Sequence, residues 1–202
     1  KWLKTPLGKG KVFFEIKEEL KQKKLVTVCE EAKCPNIGTC WNTGTATFMV
    51  LGDTCTRACR FCHIKTGNPE GLLDLQEPEK VADSCSVMKL KYVVLTMVDR
   101  DDLEDGGARH VSRVIEKIKQ QNKGISVEVL SGDWAGKKSS LKTLIQATPE
   151  VFAHNVETVK RLSPRVRDRR ASYQVSLEML KVAKEIAPYE ILTKSAIMLG
   201  LG

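Results

Sequence analysis

The chain has 202 residues, of which 42% are hydrophobic and 29% charged, with a formal net charge of +8 at pH 7. That length suffices for one sizeable core with an arm, and no apolar run approaches the roughly 18 residues of a membrane span. The opening Lys1-Trp2-Leu3-Lys4 lacks the apolar core of a secretion signal, so a cytoplasmic protein is expected, or one of an organelle stroma or matrix in a eukaryote.

Aromatic residues make up only 5% and none interleave with a basic helix, which argues against nucleic-acid binding. The positive balance favours acidic partners or is simply a solvated basic surface. Seven cysteines are an odd number in a chain too large for a disulfide scaffold, and six of them cluster where metal would want them.

In chain order, Phe13, Ile16 and Leu20, with the stem of Lys24, predict a short amphipathic helix over 12–25. Cys29, Cys34 and Cys40 follow, punctuated by Pro35 and Gly38, and read as an irregular metal-wrapped loop that completes an N-terminal arm over 1–46. Residues 47–52 read as a buried strand feeding a second cysteine loop, and 66–78 as a linker. A helix is expected from Glu79 to about Leu90, Pro78 suiting its first position. Then come a strand over 92–98, a helix over 108–121, a strand over 126–130, a short helix over 141–147 and a strand over 151–156. A helix over 172–187 follows, with Leu177, Leu180 and Ile186 inward, and a last apolar run over 191–199.

This alternation predicts an α/β fold with a parallel sheet. Asp53, Asp99, Arg100, Glu128, Asn155 and Glu157 fall at strand C-terminal ends, the catalytic face of a βα barrel. Five strands are too few for a closed eight-stranded barrel, so 47–202 is read as a partial TIM-type barrel.

Cys55, Cys59 and Cys62 form C-x3-C-x2-C within Gly52-Asp53-Thr54-Cys55-Thr56-Arg57-Ala58-Cys59-Arg60-Phe61-Cys62. Three thiolates on one short loop hold three irons of a [4Fe-4S] cube and leave the fourth open to a small molecule. Zinc sites usually pair C-x2-C twice, and this spacing is asymmetric. Cys29, Cys34 and Cys40 form C-x4-C-x5-C, a spacing that by itself fits a second cluster or zinc.

The second loop resembles the radical S-adenosylmethionine (SAM) superfamily, whose signature is C-x3-C-x-aromatic-C. Taken with 28–41, the chain is identified as resembling the lipoyl synthase family. The likeness extends to Val98-Asp99-Arg100-Asp101-Asp102-Leu103, Asp105-Gly106-Gly107, His154-Asn155-Val156-Glu157-Thr158, Arg165-Val166-Arg167-Asp168 and Thr193-Lys194-Ser195, and to Trp2-Leu3-Lys4 at the start.

The resemblance implies a partial (βα)6-type barrel and two [4Fe-4S] clusters, the SAM cluster on Cys55, Cys59 and Cys62 and an auxiliary, sulfur-donating cluster on Cys29, Cys34 and Cys40. SAM, chelated by the open iron, is cleaved reductively to methionine and a 5'-deoxyadenosyl radical. Sulfur is then inserted at C6 and C8 of an octanoyl-lysine carried on a lipoyl domain or glycine-cleavage H protein, with a flavodoxin- or ferredoxin-type electron donor. Asp99, Arg100 and Asp102 stand where the superfamily binds the methionyl amine, and Glu128, Asn155 and Lys194 are further candidate SAM contacts. For each, a surface or strand-end structural role is the competing explanation. Gly106-Gly107 is a close backbone approach or a plain turn, His154 a pocket residue or a satisfied structural histidine, and Cys85 core. The basic stretch Arg161, Arg165, Arg167, Arg169, Arg170 either receives an acidic carrier domain or is a solvated loop.

Three features depart from the family pattern. The chain ends at Gly202, whereas the family continues through a further helix, a sixth strand and a tail with Arg-Ser-Ser-Tyr, whose serine is the fourth auxiliary ligand; a fragment is therefore expected. Gly132 stands where proline is usual in Ser131-Gly132-Asp133-Trp134, which loosens the turn, and Ala196 stands where glycine is usual. Two other functional classes compete. Another sulfur-inserting radical enzyme of the biotin-synthase kind would lack the first cysteine run. A non-catalytic two-cluster carrier or zinc-binding module would not need polar strand ends.

Overall fold

The computed structural model describes residues 14, 17, 18, 20, 21, 27–31 and 34–201. Among them seven strands follow in order: β1 (Thr45–Val50), β2 (Thr54–Cys55), β3 (Lys65–Thr66), β4 (Tyr92–Met97), β5 (Ser126–Leu130), β6 (Val151–Ala153) and β7 (Leu192–Lys194). Five of them make one sheet in the order β1-β4-β5-β6-β7, and every neighbouring pair is parallel. Parallel neighbours cannot be joined by hairpins. The connections run through helices α3 (Glu77–Val87), α4 (Ala108–Gln121), α5 (Lys138–Gln146), α6 (Ser163–Val166) and α7 (Tyr173–Ile186), preceded by α1 (Val28–Glu31) and α2 (Ile37–Asn42). Sequential strand order in an all-parallel sheet is the wall of a partial βα barrel, as the alternation predicts.

Side chains alternate along each strand. Phe48, Val50, Val93, Leu95, Val127, Val129 and Phe152 are buried, in one core with Val111, Ile115 and Ile118 of α4 and Leu141 and Leu144 of α5. Each such burial contributes about 1.5–3 kcal/mol. The alternate positions form two rows across the sheet. One runs Thr47, Val94, Glu128, Val151, Leu192; the next, nearer the strand ends, runs Met49, Thr96, Leu130, Ala153, Lys194. The second row floors the site.

Several expectations are corrected. The first cysteine run is not irregular, because α1 and α2 carry Cys29 and Cys40. The inward face of α7 is Ser176, Met179, Val182 and Ala183, whereas Leu177 and Ile186 are exposed and Leu180 is half-buried. The reason is tertiary: Ser176 is drawn in by polar partners beneath it. Glu128 lies mid-strand rather than at a strand end, and β6 stops at Ala153. In the arm, Phe14, Lys17, Glu18, Leu20 and Lys21 are helical and Leu20 is buried. Phe13, Ile16, Lys24 and Trp2-Leu3-Lys4 lie outside the described residues.

Candidate functional site

The cysteine loop begins where β1 ends. Leu51 turns the chain with φ 71°, its N–H donated to Glu77 Oε2 at 3.0 Å, and His110 Nε2 meets the same oxygen at 2.7 Å. Gly107 lies so close that a Cβ there would stand 2.6 Å from Leu51 Cδ1, and a Cβ on Gly106 would stand 2.6 Å from Trp134 Cδ1. Both glycines have positive φ, so the turn and the close approach are one feature.

Beyond this turn Cys55, Cys59 and Cys62 line one cavity of about 270 Å³, floored by Met49, Thr96 and Leu130 and walled by Phe61, Asp99, Asp133, Asn155, Glu157 and Arg167. Its volume is near the lower end of ligand pockets, about 300–1,000 Å³. Val28, beside Cys29 on α1, lines it too. Burial pushes the Cys55 and Cys59 thiols up, partly offset by N–H donors: Arg57 N–H to Cys55 Sγ at 3.4 Å and Asp168 N–H to Cys59 Sγ at 3.3 Å. In the arm, burial pushes the Cys40 thiol up, and the nearby Cys29 and Cys34 push it further.

Among the described residues no three His, Cys, Asp or Glu side chains converge on a single ion. A lone zinc needs its sulfurs about 2.3 Å from the metal, whereas a cube spreads its thiolates wider. Three thiols around one cavity, two of them already accepting N–H bonds, fit a cluster loop.

Arg57, between the first two cysteines of the loop, is the electrostatic centre. Its guanidinium is buried, yet its charge is reinforced: burial works against it, but the bond to Asp101 and the neighbouring Asp99 and Asp133 outweigh that. It donates to Asp101 through Nε at 3.0 Å and Nη2 at 2.9 Å, and Nη1 lies 2.7 Å from Asp133 Oδ1. Asp99 is only its distant partner, at 3.6 Å. Burial pushes the Asp99 carboxyl up to about 6; Arg57 opposes this, while Asp133 and Asp101 add to it. Asp133 Oδ2 is buried without a hydrogen-bond partner. One cation thus faces three carboxylates, two of them incompletely satisfied. That donor set fits a ligand bringing a positive charge or N–H and O–H groups.

Gly132 makes this packing possible, since a Cβ there would lie 2.2 Å from Asp99 Oδ1. Its lack of a side chain admits the Asp99 carboxylate.

The other sequence-predicted residues separate. Asn155 and Glu157 line the cavity and bond each other; Glu157 has φ 64°, and burial raises its carboxyl. Arg100 and Asp102 do not line it. Arg100 is buried, donating to Asp102 at 2.8 and 2.7 Å and to Leu51 O at 3.0 Å, and so ties the β4 loop to the end of β1. Glu128 accepts from Tyr92 Oη at 2.6 Å and Lys194 Nζ at 2.7 Å, one row below the cavity floor. Lys194 shares the floor's row but reaches back to Glu128. Asp53 is exposed and bonds Thr54. His154 is enclosed: Nδ1 meets Ser131 O and Nε2 meets Ser176 Oγ, both at 2.8 Å, and Arg167 donates to Ser176 at 2.8 Å. A nitrogen facing a carbonyl must carry the proton, so Nε2 accepts; burial lowers the histidine's affinity for a second proton. Cys85 is fully buried, its thiol pushed up to about 12.

Sequence reasoning missed Arg57 and Asp133. The only signal for Arg57 was an arginine inside a cluster loop, and nothing local marked Asp133 as its partner.

The model of the radical SAM superfamily matches residues 49–202, and that of the N-terminal domain of lipoyl synthase matches 1–34. The chain is 52% identical over its whole length to a lipoyl synthase of Thermus thermophilus, covering 62% of that protein, and 53% identical to a mitochondrial lipoyl synthase of Eremothecium gossypii, covering 55%. It is 52% identical to a lipoyl synthase of Pyrobaculum arsenaticum, covering 67%. It therefore spans a little over half to two thirds of these curated relatives. The crystal structure of methylornithine synthase has a similar fold, with TM-score 0.60 over 96% of this chain and 53% of that one at 13% identity. With Cys55, Cys59 and Cys62 around one cavity, these likenesses place the chain in the lipoyl synthase family of the radical SAM superfamily.

Proposed function

We propose that this chain is the cluster-bearing part of a sulfur-inserting radical enzyme, acting at C6 and C8 of an octanoyl-lysine on a lipoyl domain or glycine-cleavage H protein. The observation that supports this proposal is the cavity lined by Cys55, Cys59 and Cys62, with Val28 of α1, the arm helix that carries Cys29, at its wall. Bound there, the two [4Fe-4S] clusters would supply, respectively, the electron that cleaves SAM and the sulfur that is inserted.

The chain's own residues bind, orient and exclude water. Asp101 and Asp133 are taken up by Arg57, which leaves Asp99, at 3.6 Å, to pair with the α-ammonium of SAM. Asn155 and Glu157, which also line the cavity, present polar atoms to the ribose and carboxylate side. Met49, Thr96 and Leu130 floor the site, and Phe61 covers one wall. Arg100, Asp102, Glu128 and Lys194 act from outside the cavity by fixing its loops and floor.

The basic stretch at Arg161, Arg165, Arg169 and Arg170 flanks the cluster loop and suits an acidic carrier or electron donor. Among the described residues no helix is long and apolar enough to cross a membrane.

The test is anaerobic reconstitution with iron and sulfide, then incubation with SAM, a low-potential reductant and an octanoyl-lysine peptide. We expect about eight irons per chain and 5'-deoxyadenosine, with sulfur on the peptide detected by mass. Stoichiometric zinc without sulfide overturns the proposal. Deoxyadenosine without peptide thiolation confines the chain to the SAM half of the reaction.

A further inference from the structure

The cluster loop is held from a segment far away in sequence. Arg60 N–H donates to Val166 O at 2.9 Å, Ala58 N–H to Asp168 Oδ2 at 2.9 Å, and Arg170 Nη2 to Thr56 O. Asp168 N–H points at Cys59 Sγ at 3.3 Å. Every residue between the first two cysteines, and the one after the second, is thereby held: Thr56, Ala58 and Arg60 from this segment, and Arg57 by the aspartates.

Asp168 is also fixed. Its side chain is 9% exposed, and its carboxylate accepts from Arg170 N–H and Nε, both at 2.9 Å. The bond to Arg170 holds that carboxyl well below the usual carboxylate range. Arg170 Nη1 in turn lies 3.1 Å from Asp101, the aspartate that grips Arg57. An exposed ion pair alone contributes little. Here the carboxylate is half of a clamp on backbone N–H and C=O groups of an irregular loop, groups that must find partners outside the loop's own ladder.

We propose that Asp168 and Arg170 are positioning residues for the radical-generating centre: they set the loop that carries Cys55 and Cys59 before metal binds and aim the Asp168 N–H at the Cys59 thiolate. This rests on the assignment of Cys55, Cys59 and Cys62 as cluster ligands. Outer partners of this kind set ligand orientation and metal retention. An N–H bond to a cluster thiolate favours the more negative, reduced state and so raises the reduction potential.

The test uses this chain with Cys29, Cys34 and Cys40 changed to alanine, so that a single cluster is observed, reconstituted anaerobically. Iron transfer to a chelator and the cluster's midpoint potential are measured on this parent and on Asp168→Ala, Asp168→Asn, Asp168→Pro and Arg170→Ala. Asp168→Ala should lose iron about tenfold faster. Asp168→Asn, which keeps an acceptor for Ala58 N–H, should fall between, as should Arg170→Ala. Asp168→Pro, which lacks the N–H, should move the potential furthest negative, a shift that a merely structural role would not produce. If Asp168→Pro does not fold, judged by circular dichroism, the potential of Asp168→Ala decides. Iron loss and potential equal to the parent's in Asp168→Ala and Arg170→Ala overturn the proposal. A parent with no iron and sulfide overturns the cluster assignment itself, and the clamp with it.

Discussion

The two cysteine runs are held in different ways. In the arm, several of the bonds that shape the run are local, namely Cys34 N–H to Cys29 O at 3.0 Å, Cys40 N–H to Asn36 O at 2.9 Å and Thr27 Oγ1 taking Glu30 N–H at 3.3 Å, while a bridge from Thr27 to Phe48 joins its start to β1. In the SAM loop they are long-range, from Arg57 to Asp101 and Asp133, from Thr56 to Asp99 and from Ala58 to Asp168, separations of roughly 40 to 110 residues. A loop shaped by distant contacts exists only in the folded barrel. A run shaped by its own turns needs less of it. On the proposed chemistry this division is fitting, because the SAM loop must keep one geometry through turnover while the arm's cluster gives up sulfur.

The largest effects come from the ligands. Cys59→Ser should lower reconstituted iron from about eight to about four per chain and abolish 5'-deoxyadenosine formation. Cys34→Ala should cause a similar iron loss yet leave deoxyadenosine formation intact. Equal loss of SAM cleavage in both variants would erase the distinction between the runs.

Arg57→Ala should come next. It leaves Asp99 and Asp133 without the cation they share and Asp101 held by Arg170, and breaking such a buried pair costs about 3–5 kcal/mol, read as a lower denaturant midpoint. The same truncation at Lys17, which reaches Glu30 in the arm at 3.8 Å from an exposed position, should change stability by about 0–1 kcal/mol. Gly132→Ala forces Asp99 to move and should cost about 1–3 kcal/mol, with weaker SAM binding in equilibrium dialysis.

The pH dependence is smaller. A bound ammonium favours ionised Asp99, whose carboxyl is pushed up to about 6. Below that pH, binding must expel a proton, so SAM affinity should fall by up to about tenfold per unit as pH drops from 6, and level off above it. Asp99→Asn should flatten the profile and weaken binding throughout. Thr27→Ala removes a local cap from α1 and should cost about 1 kcal/mol, seen as faster amide exchange confined to the arm.

Much of this was legible in the residues. The helix over 108–121 and the strand over 126–130 match the observed α4 and β5, because apolar period and strand alternation are local and strong there. Ser172 caps α7 through Val175 N–H, a signal also contained in a few residues. The face of α7 was misread because Leu177 and Ile186 have the right spacing but no partner, whereas Ser176 is claimed by His154 and Arg167. Glu128 was misplaced because its partners, Tyr92 and Lys194, belong to two other strands.

The sequence by itself determined the number and order of the barrel's strands, the two cysteine runs and the chemistry those spacings suit, since each depends on neighbours a few residues apart. Only the tertiary structure decided which polar residues reach the cavity. It took Arg100, Asp102, Glu128 and Lys194 out of the lining, put Arg57 and Asp133 at its centre, and assigned Asp168 and Arg170 to the loop's support. The physical reason is that a buried charge must find its counter-charge wherever the fold brings one, and that partner leaves no trace in the local pattern.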